Sequence, residues 1–366
     1  MLKTLKVRVK DKHAKALGEM ARSVNFTWNY INELSSRSIR ERGKFLSAYD
    51  IQEYTNGAAK DLGLNGHTVQ CIGAEYVTRR RQFKRDRLNW RASSGSKRSL
   101  GWIPIKAGSA SWRNGQVYHN GQCFGVWDSW GLAKYTFRAA SFNEDSRGRW
   151  YFNVSVEVEA SPSKGSSAVG IDLGLKDCAT TSTGQKLEGR WYRELEPKLA
   201  AAQRARKKGR TRAINAKVAN RRKDAIHKFT TGLVRANAAI FVGDVASAKL
   251  VKTRMAKSTL DAGWSSLKTM LEYKSHQAGV VFEVVNEAYS TRTCSCCGVI
   301  PDSGPKGMGA LRIREWTCTD CGAEHDRDVN AARNILAAGH CRLAGGIPGV
   351  HAGKMSTMAA DDQILR

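Results

Sequence analysis

The stretch that most constrains the fold begins at Ala168, where short apolar runs alternate with tight turns. The sequence AVGIDLGLKDCATTSTGQKLEG predicts three consecutive strands, with turns at Gly174 and at Thr183-Gly184. The strands IFVGDV and VVFEVVNE come later, and the predicted helices around them cover about 194–237, 266–279 and 329–338. A strand triplet followed by alternating helices and strands predicts an α/β layer built on a mixed sheet.

Nine cysteines occur in the chain, and five of them lie within residues 294 to 321. Two CxxC pairs separated by twenty residues are formed by Cys294, Cys297, Cys318 and Cys321. Such pairs supply the four thiolates of a tetrahedral zinc site in a reducing compartment. A closed thiolate shell leaves no position for water, so the zinc is predicted to be structural. Gly298 and Gly322 follow the pairs, where a tight turn favours glycine, and Cys296 either competes for the ion or stays free.

The cysteine module stands between the last predicted strand and the last predicted helix, and the order around it is that of an RNase H-like layer. Asp172 follows the first strand of this layer, in GIDLG, and Asp326 and Asp328 open the last helix. Taken singly, these acids have ordinary explanations as a turn residue and as helix caps. Together they predict the carboxylate cluster that two Mg²⁺ ions about 3.5–4 Å apart need for phosphodiester cleavage.

The N-terminal half carries a different pattern. The predicted segments are a strand at 5–9, helices over about 15–42 and 47–91, and short strands from 92 to 160. Asn120-Gly121 is a strong hairpin signal, and RWYFNVSVEVE alternates as a half-buried strand does. These strands predict a small antiparallel sheet or barrel that the first strand joins. Residues 160–167 are predicted to be a linker, and the tail from Gly345 has no periodicity.

The chain carries 60 Lys and Arg against 33 Asp and Glu, a net charge of +27. This charge favours nucleic acid as a partner over an anionic membrane, because no 18-residue apolar run, signal peptide or lipidation motif occurs. Two basic stretches are predicted to contact phosphates rather than to form solvated faces. The first has Phe83 and Trp90 for base stacking and contains Arg79, Arg80, Arg81 and Arg85. The second contains Arg206, Lys207, Arg221 and Arg222.

Several motifs in one order resemble the TnpB family, the transposon-encoded OrfB proteins related to type V CRISPR effectors. The matching stretches are GIDLGL, RRKDAIHKFTTGLV, LDAGW with LEYK, CSCCG with CTDCG, and DRDVNAARNI. They span residues 168–340, and VNFTWNYINEL more loosely resembles the family's early helix. The resemblance implies a multidomain α+β fold, in which an OB-like wedge β-barrel with a helical insertion precedes an RNase H-like RuvC nuclease domain with an inserted zinc ribbon.

The same resemblance implies a guide RNA from the transposon end, double-stranded target DNA and a cytoplasmic, nucleoid-associated bacterial protein. The implied domains are the wedge-like barrel at 1–12 and 92–165, the helical recognition domain at 13–91, the RuvC domain at 166–290 and 326–344, the zinc ribbon at 291–325 and a flexible tail at 345–366.

The RuvC carboxylates of the family transfer to this chain only in part. Asp172 matches the first acid and Asp328 the last, whereas the middle Glu falls on Gly243 and is followed by Asp244. Asp244 could substitute, although adjacent residues at a strand end point to opposite faces. Glu287, at the end of the next parallel strand about 4.8 Å across, could instead supply the ligand, or the site could hold too few carboxylates. Relocation is favoured, so Asp172, Glu287 and Asp328 are the predicted catalytic residues and Mg²⁺ ligands.

The predicted function is RNA-guided DNA endonuclease activity that uses two Mg²⁺ ions, with a Zn²⁺ ion and a guide RNA bound. The alternative is a nuclease-dead, RNA-guided DNA-binding repressor. A transposase that joins DNA strands itself is a weaker hypothesis, because the chain has no HUH motif and no tyrosine beside a histidine pair. His227 is either a proton shuttle or a packed or phosphate-contacting histidine.

Overall fold

The computed structural model describes residues 2–159, 162–245, 250–253, 255–306 and 313–345. The chain folds into two compact units, Met1–Glu159 and Ala160–Arg366. The predicted tail beyond Gly345 and the first two residues of the predicted linker lie outside the described residues. In the part of the chain that is described, no helix is long and apolar enough to cross a membrane.

The first unit combines helices with two antiparallel sheets. Its elements are β1 (Leu2–Val9), α1 (Ala14–Arg42), α2 (Ala48–Thr55), α3 (Gly66–Phe83), β2 (Trp102–Ile105), β3 (Ala110–Arg113), β4 (Gln116–His119), β5 (Gln122–Phe124), β6 (Val126–Trp127), β7 (Phe137–Glu144) and β8 (Trp150–Glu157). Five strands pair in the order β2-β7-β8-β1-β6, and β3, β4 and β5 form a second sheet.

The antiparallel sheet of the first unit confirms the sequence prediction. The first strand of the chain joins it, because Leu5 of β1 lies opposite Val154 of β8. Trp150, Phe152, Val154 and Val156 alternate with more exposed residues, so β8 buries one face as predicted. Asn120 and Gly121 have φ values of 50° and 74° and form the hairpin turn between β4 and β5. Closure of these strands into a wedge-type barrel stays a prediction.

The first predicted helix is confirmed as α1, but the single helix over about 47–91 is wrong. Two helices, α2 and α3, occupy this range, and residues 84–91 are not helical. Gly57, with φ of 82°, follows the end of α2, and the side chain of Asn65 caps α3 by accepting from the backbone N–H of His67 at 2.9 Å. Lys84 ends α3 in the left-handed conformation, with φ of 50°.

The second unit is built on a mixed sheet. Its elements are β9 (Ser167–Asp172), β10 (Asp177–Thr181), β11 (Lys186–Glu188), α4 (Glu196–Arg204), α5 (Lys208–Ala236), β12 (Asn237–Gly243), α6 (Ala256–Ala262), α7 (Trp264–Ala278), β13 (Val281–Val285), β14 (Glu315–Thr317), β15 (Glu324–Asp326) and α8 (Arg327–Gly345). The sheet order is β11-β10-β9-β12-β13, with the first three strands antiparallel and β9, β12 and β13 parallel. The predicted strand triplet is therefore confirmed.

The two faces of this sheet pack against different helices. Ile240 and Val242 of β12 belong to the apolar cluster that contains residues of α5 and α7. Phe241, between them, belongs to the cluster that contains Ile335 of α8. Since side chains alternate along a strand, Gly243 lies on the α8 face and Asp244 lies toward the opposite face. This alternation decides which acids can meet.

The prediction of one long basic helix over about 194–237 is wrong in one respect, because two helices, α4 and α5, occupy this range. Arg206 adopts the left-handed conformation, with φ of 51°, and the backbone N–H of Lys207 donates to the Ala202 carbonyl at 2.9 Å. The left-handed residue and this hydrogen bond end α4 in the manner of a helix C-cap, although the sequence has no glycine at this position. Arg206 and Lys207 therefore lie in the connection between two helices.

Candidate active site

Asp172 is held at the end of β9 by close packing on one side and by a fixed loop on the other. Helix α8 crosses β9 so tightly that a Cβ at Gly170 would collide with the Ala332 carbonyl. Asp172, two residues further along, lies on the same face of the strand. The indole Nε1 of Trp264 donates to the Gly174 carbonyl at 3.2 Å, which fixes the loop that follows.

The two acids at the start of α8 have separate roles. Asp326 Oδ1 accepts from the backbone N–H groups of Asp328 and Val329 at 2.9 and 3.0 Å, so Asp326 caps the helix. Asp328 instead lines a cavity at the sheet edge, where its Oδ2 accepts from Arg314 Nη1 at 2.6 Å. The capping explanation therefore holds for Asp326, and Asp328 is available to the candidate site.

Glu287 fills the space that Gly243 leaves open. A Cβ built at Gly243 would collide with Glu287 Oε2, and it would lie 3.3 Å from Glu287 Cβ and 3.2 Å from Ile335 Cδ1. Gly243 pairs with Val285, the last residue of β13, and Glu287 follows two residues later. Its carboxylate thus reaches back from β13 over the end of β12.

Asp244 is placed differently from Glu287. It is exposed and does not line the cavity, and its Oδ1 accepts from the backbone N–H of Glu287 at 3.3 Å. Burial and then the negative charge of Asp244 raise the pKa of Glu287, which the positive charge of Lys268 partly offsets. Asp244 therefore acts on Glu287 from outside the cavity.

The three predicted acids line one cavity of about 380 Å³. Burial, followed by the negative charges of Asp328 and Glu287, raises the pKa of Asp172 to about 7. Burial and the two neighbouring carboxylates thus both disfavour the charged form of Asp172. The basic side chains that line the same cavity are Lys176, Arg190, Arg314 and Arg327.

The donor set fits divalent cations that prefer oxygen ligands. Glu287 Oε2 is buried, and no hydrogen-bond donor reaches it within the described residues. Asp172, Glu287 and Asp328 each contribute a carboxylate to the same cavity. Carboxylates that line one cavity suit a pair of ions, which would offset the negative charge around Asp172.

The four predicted zinc ligands come together. Atoms of Cys294, Cys297, Cys318 and Cys321 all lie within 4.8 Å of one another, an arrangement that could hold a metal ion. Gly298 and Gly322 adopt φ values of 75° and 72°, so the tight turns predicted after the two pairs are confirmed. Cys296 is exposed and stands outside the four-cysteine group.

Two asparagines of α8 tie this cysteine cluster to the helix that carries Asp328. Asn330 Oδ1 accepts from the backbone N–H of Ser295 at 2.9 Å, and its Nδ2 donates to the Thr293 carbonyl at 2.8 Å. One turn later, Asn334 Nδ2 donates to the same carbonyl at 2.7 Å. The position of Asp328 is thus coupled to the fold of the cysteine module.

The predicted nucleic-acid contacts differ in exposure. Arg80 is only 3% exposed, and it donates to Ser35 Oγ at 2.5 Å and to the Leu46 carbonyl at 2.8 Å. Its guanidinium is therefore used inside the protein, and the prediction that it contacts phosphate is wrong. Arg222 is half-buried and lies 3.6 Å from Asp261. The residues whose side chains remain exposed are Arg79, Arg81, Arg85, Arg206, Lys207 and Arg221.

Two features of the site have no clear signal in the sequence. Arg314 reaches Asp328 from the cysteine module, and no spacing rule predicts which acid it meets. Lys268 of α7 lowers the pKa of Glu287 through its positive charge, and no spacing rule predicts this pair either.

His227 does not line the cavity. It is half-buried, its carbonyl accepts from Lys274 Nζ at 2.9 Å, and burial lowers the pKa of its ring.

Comparison with known protein families agrees with this arrangement. Residues 151–254 match the OrfB_IS605 family model, described as "Probable transposase". Residues 264–335 match the model of the Cas12f1-like TNB domain. The first match contains β9 and β12 of the mixed sheet, and the second contains the four cysteines and the start of α8.

Several curated relatives carry the name "Putative RNA-guided DNA endonuclease", and two of them are at least 31% identical to this chain. One, from Streptomyces pristinaespiralis, is 39% identical over 213 residues, which cover 54% of this chain and 52% of that protein. The other, InsQ of Escherichia coli strain K12, is 31% identical over 232 residues, covering 55% of this chain and 56% of the relative. A third, TnpB-like protein L79 of Acanthamoeba polyphaga mimivirus, is 27% identical over 54% of this chain and 42% of its own length. The chain thus spans about half the length of the curated relatives it matches.

The part of the chain that contains the mixed sheet and the four cysteines is therefore similar to OrfB and Cas12f1-like proteins. The curated relatives include a TnpB-like protein and two proteins named as RNA-guided DNA endonucleases, so this part of the chain is similar to the TnpB family. The resemblance to the TnpB family that the sequence motifs predict is confirmed.

Proposed function

We propose that this chain is an RNA-guided DNA endonuclease that cleaves target DNA by Mg²⁺-dependent hydrolysis at Asp172, Glu287 and Asp328. The observation that carries the proposal is the position of Glu287 against Gly243, where a side chain at residue 243 would otherwise stand. All three carboxylates line one cavity beside the ends of β9 and β13. The names of the curated relatives support RNA-guided cleavage of DNA as the activity.

The residues would divide the chemistry as follows. Asp172, Glu287 and Asp328 would hold two Mg²⁺ ions, which when bound activate water and stabilise charge on the departing oxygen. Arg314 would leave Asp328 for the phosphate, because a metal ion and a guanidinium compete for the same carboxylate oxygen. Ordered loops and helix caps around Asp172 and Asp328 keep the ligands in place without substrate.

The four cysteines would hold a structural Zn²⁺ ion, since a shell of four thiolates leaves no coordination position for substrate. We further propose that residues 166–290 and 326–344 are a RuvC domain, that 291–325 are its zinc ribbon, and that the wedge-like barrel and the helical recognition domain precede them. The division between compact units after Glu159 supports this arrangement. Guide RNA and double-stranded target DNA are the proposed partners, and the net charge of +27 supports both.

Cleavage of matched double-stranded DNA by the protein purified with its co-expressed RNA tests the proposal. With Mg²⁺ present, the wild-type complex is expected to cut the DNA, and Glu287→Ala is expected to bind the same DNA without cutting it. Asp244→Ala is the matched control, because Asp244 lies beside Glu287 but outside the cavity. Tight binding without any cleavage by the wild-type complex would instead identify an RNA-guided DNA-binding repressor.

A further inference from the structure

The first unit contains a cavity of about 620 Å³ at the C-terminal end of α3, a size typical of ligand sites. Aromatic and cationic side chains share its wall, namely Trp28, Phe83, Trp90, Arg79, Arg85 and Arg91. Of the described residues that line it, none is acidic. Aromatic rings beside positive charge suit a ligand with a planar ring and a phosphate.

One wall of this cavity is an extended segment, residues 88–91, that two asparagines of α1 hold in place. Asn32 Nδ2 donates to the Leu88 carbonyl at 2.7 Å, and the Leu88 N–H donates to Asn32 Oδ1 at 3.0 Å. Asn29 makes the same reciprocal pair with Arg91, at 2.9 and 2.8 Å. The backbone on both sides of Trp90 is therefore fixed by four hydrogen bonds.

Trp90 is nevertheless not buried by this support. Its side chain is 55% exposed, and Phe83 at the end of α3 is 57% exposed. The Arg87 guanidinium lies over the Trp90 ring, 5.6 Å from its centre, and is itself fixed by an ion pair with Glu33 at 2.9 Å. A large aromatic ring held outward on a rigid backbone is preorganised for stacking, which lowers the entropy cost of binding.

The charges at the cavity are partly committed and partly available. Arg79 Nε donates to Glu75 at 2.6 Å, and Arg91 donates to Asn25 at 2.7 Å, so both support the wall. Arg85 is exposed and has no acidic partner within the described residues. Its guanidinium lines the same cavity as the aromatic rings and is available for an anionic group.

We propose that this cavity binds one unpaired nucleotide of a single-stranded nucleic acid, with the base stacked against Trp90 and Phe83 and the phosphate at Arg85. The site deepens the proposed function and rests on it for the presence of nucleic acid. It does not depend on cleavage, because none of the residues that form it belongs to the carboxylate cavity.

Equilibrium binding of labelled oligonucleotides by the full chain, freed of co-purified nucleic acid at high salt, tests this site. The probes are oligouridine RNA and oligothymidine DNA of about eight nucleotides, within the usual footprint of single-strand sites, and a blunt DNA duplex. Trp90→Ala is expected to weaken single-strand binding roughly 5- to 100-fold, the range of one base–aromatic stack, and to leave duplex binding unchanged. Trp90→Phe is expected to restore most of the affinity. Tyr49→Ala is the control, since Tyr49 is 84% exposed but outside the cavity.

Salt dependence separates stacking from charge. Arg85→Gln is expected to lower the slope of log affinity against log salt by about 0.7, as for one lost single-strand phosphate contact, whereas Trp90→Ala keeps the wild-type slope. If the RNA probe binds more tightly than the DNA probe, the bound nucleotide is assigned to the guide RNA. If the DNA probe binds equally or more tightly, the nucleotide is assigned to a DNA strand. Unchanged single-strand affinity in Trp90→Ala, or equal losses for single strands and duplex, would overturn the proposal. Neither outcome depends on whether the wild-type protein cuts DNA.

Discussion

Replacing Gly243 with alanine tests whether Glu287 supplies the middle carboxylate of the site. The added Cβ would collide with Glu287 Oε2, and it would lie 3.3 Å from Glu287 Cβ. Gly243 does not have a positive φ, so alanine meets no backbone strain there. The main effect of Gly243→Ala is therefore expected to be displacement of the Glu287 carboxylate, with a small shift of Ile335, which the Cβ would approach to 3.2 Å.

The expected change in stability is small, and the expected change in cleavage is large. Alanine in a strand is favoured over glycine by roughly 0.5–1 kcal/mol, which offsets much of the roughly 1–3 kcal/mol that overpacking costs. The displaced oxygen belongs to the end of a flexible side chain, so the clash is relieved by a rotamer change. Loss of one metal ligand is expected to slow cleavage at least about a hundredfold, which corresponds to ~2.7 kcal/mol of barrier.

Single-turnover cleavage with the RNA-bound protein in excess measures the chemical step, and thermal unfolding of the same samples measures stability. Gly232→Ala in α5 is the matched control, because a Cβ there meets nothing within 4 Å. The double variant Gly243→Glu with Glu287→Gly is expected to recover part of the activity by moving the carboxylate to β12. Wild-type cleavage by Gly243→Ala, or full activity of Glu287→Ala, would refute the assignment of Glu287.

Three further outcomes follow from the pKa shifts and the cysteine cluster. The pKa of Asp172 is raised to about 7, so without Mg²⁺ the folded protein binds the Asp172 proton more tightly than the unfolded chain does. The free energy of unfolding should therefore fall by on the order of 4 kcal/mol as pH rises from about 4 to about 7. Asp172→Asn should make the melting temperature nearly independent of pH over that range. Burial lowers the pKa of Lys274 to about 8, so stability should rise between about pH 8 and 10.5, and Lys274→Met should remove this rise in pH-dependent unfolding. Cys318→Ser should lose stoichiometric zinc in elemental analysis together with cleavage, whereas Cys296→Ser should retain both; zinc retained by Cys318→Ser would contradict the four-thiolate site.

The sequence predicted the mixed sheet because each of its strands carries a local signal. The triplet that starts at Ala168 has turn residues between its strands, and β12 and β13 are short apolar runs. The four cysteines were predictable for the same reason, since their spacing alone defines the site. The wedge-type barrel lacks such a signal, because barrel closure depends on pairing between distant strands.

Helix breaks and buried charges were harder to predict. Arg206 ends α4 in a left-handed conformation without glycine, so no residue marks the break. The burial of Arg80 could have been predicted from helix periodicity, but the many neighbouring arginines obscured it. Ile72, Tyr76 and Val77 are buried on one face of α3. Arg80 follows Tyr76 by four residues and Val77 by three, so it lies on that same face. The periodicity of a helix therefore distinguishes its inward arginine from the outward ones.

The middle carboxylate shows why a motif cannot be transferred without the geometry of the sheet. Side chains of β9 and β12 on the α8 face come from alternate positions, so residue 243 can face Asp172 and residue 244 points toward the other face. Glu287 reaches the same place from β13 only because residue 243 has no side chain. A carboxylate from β12 and one from β13 thus exclude each other by volume, and the glycine is as necessary to this arrangement as the glutamate.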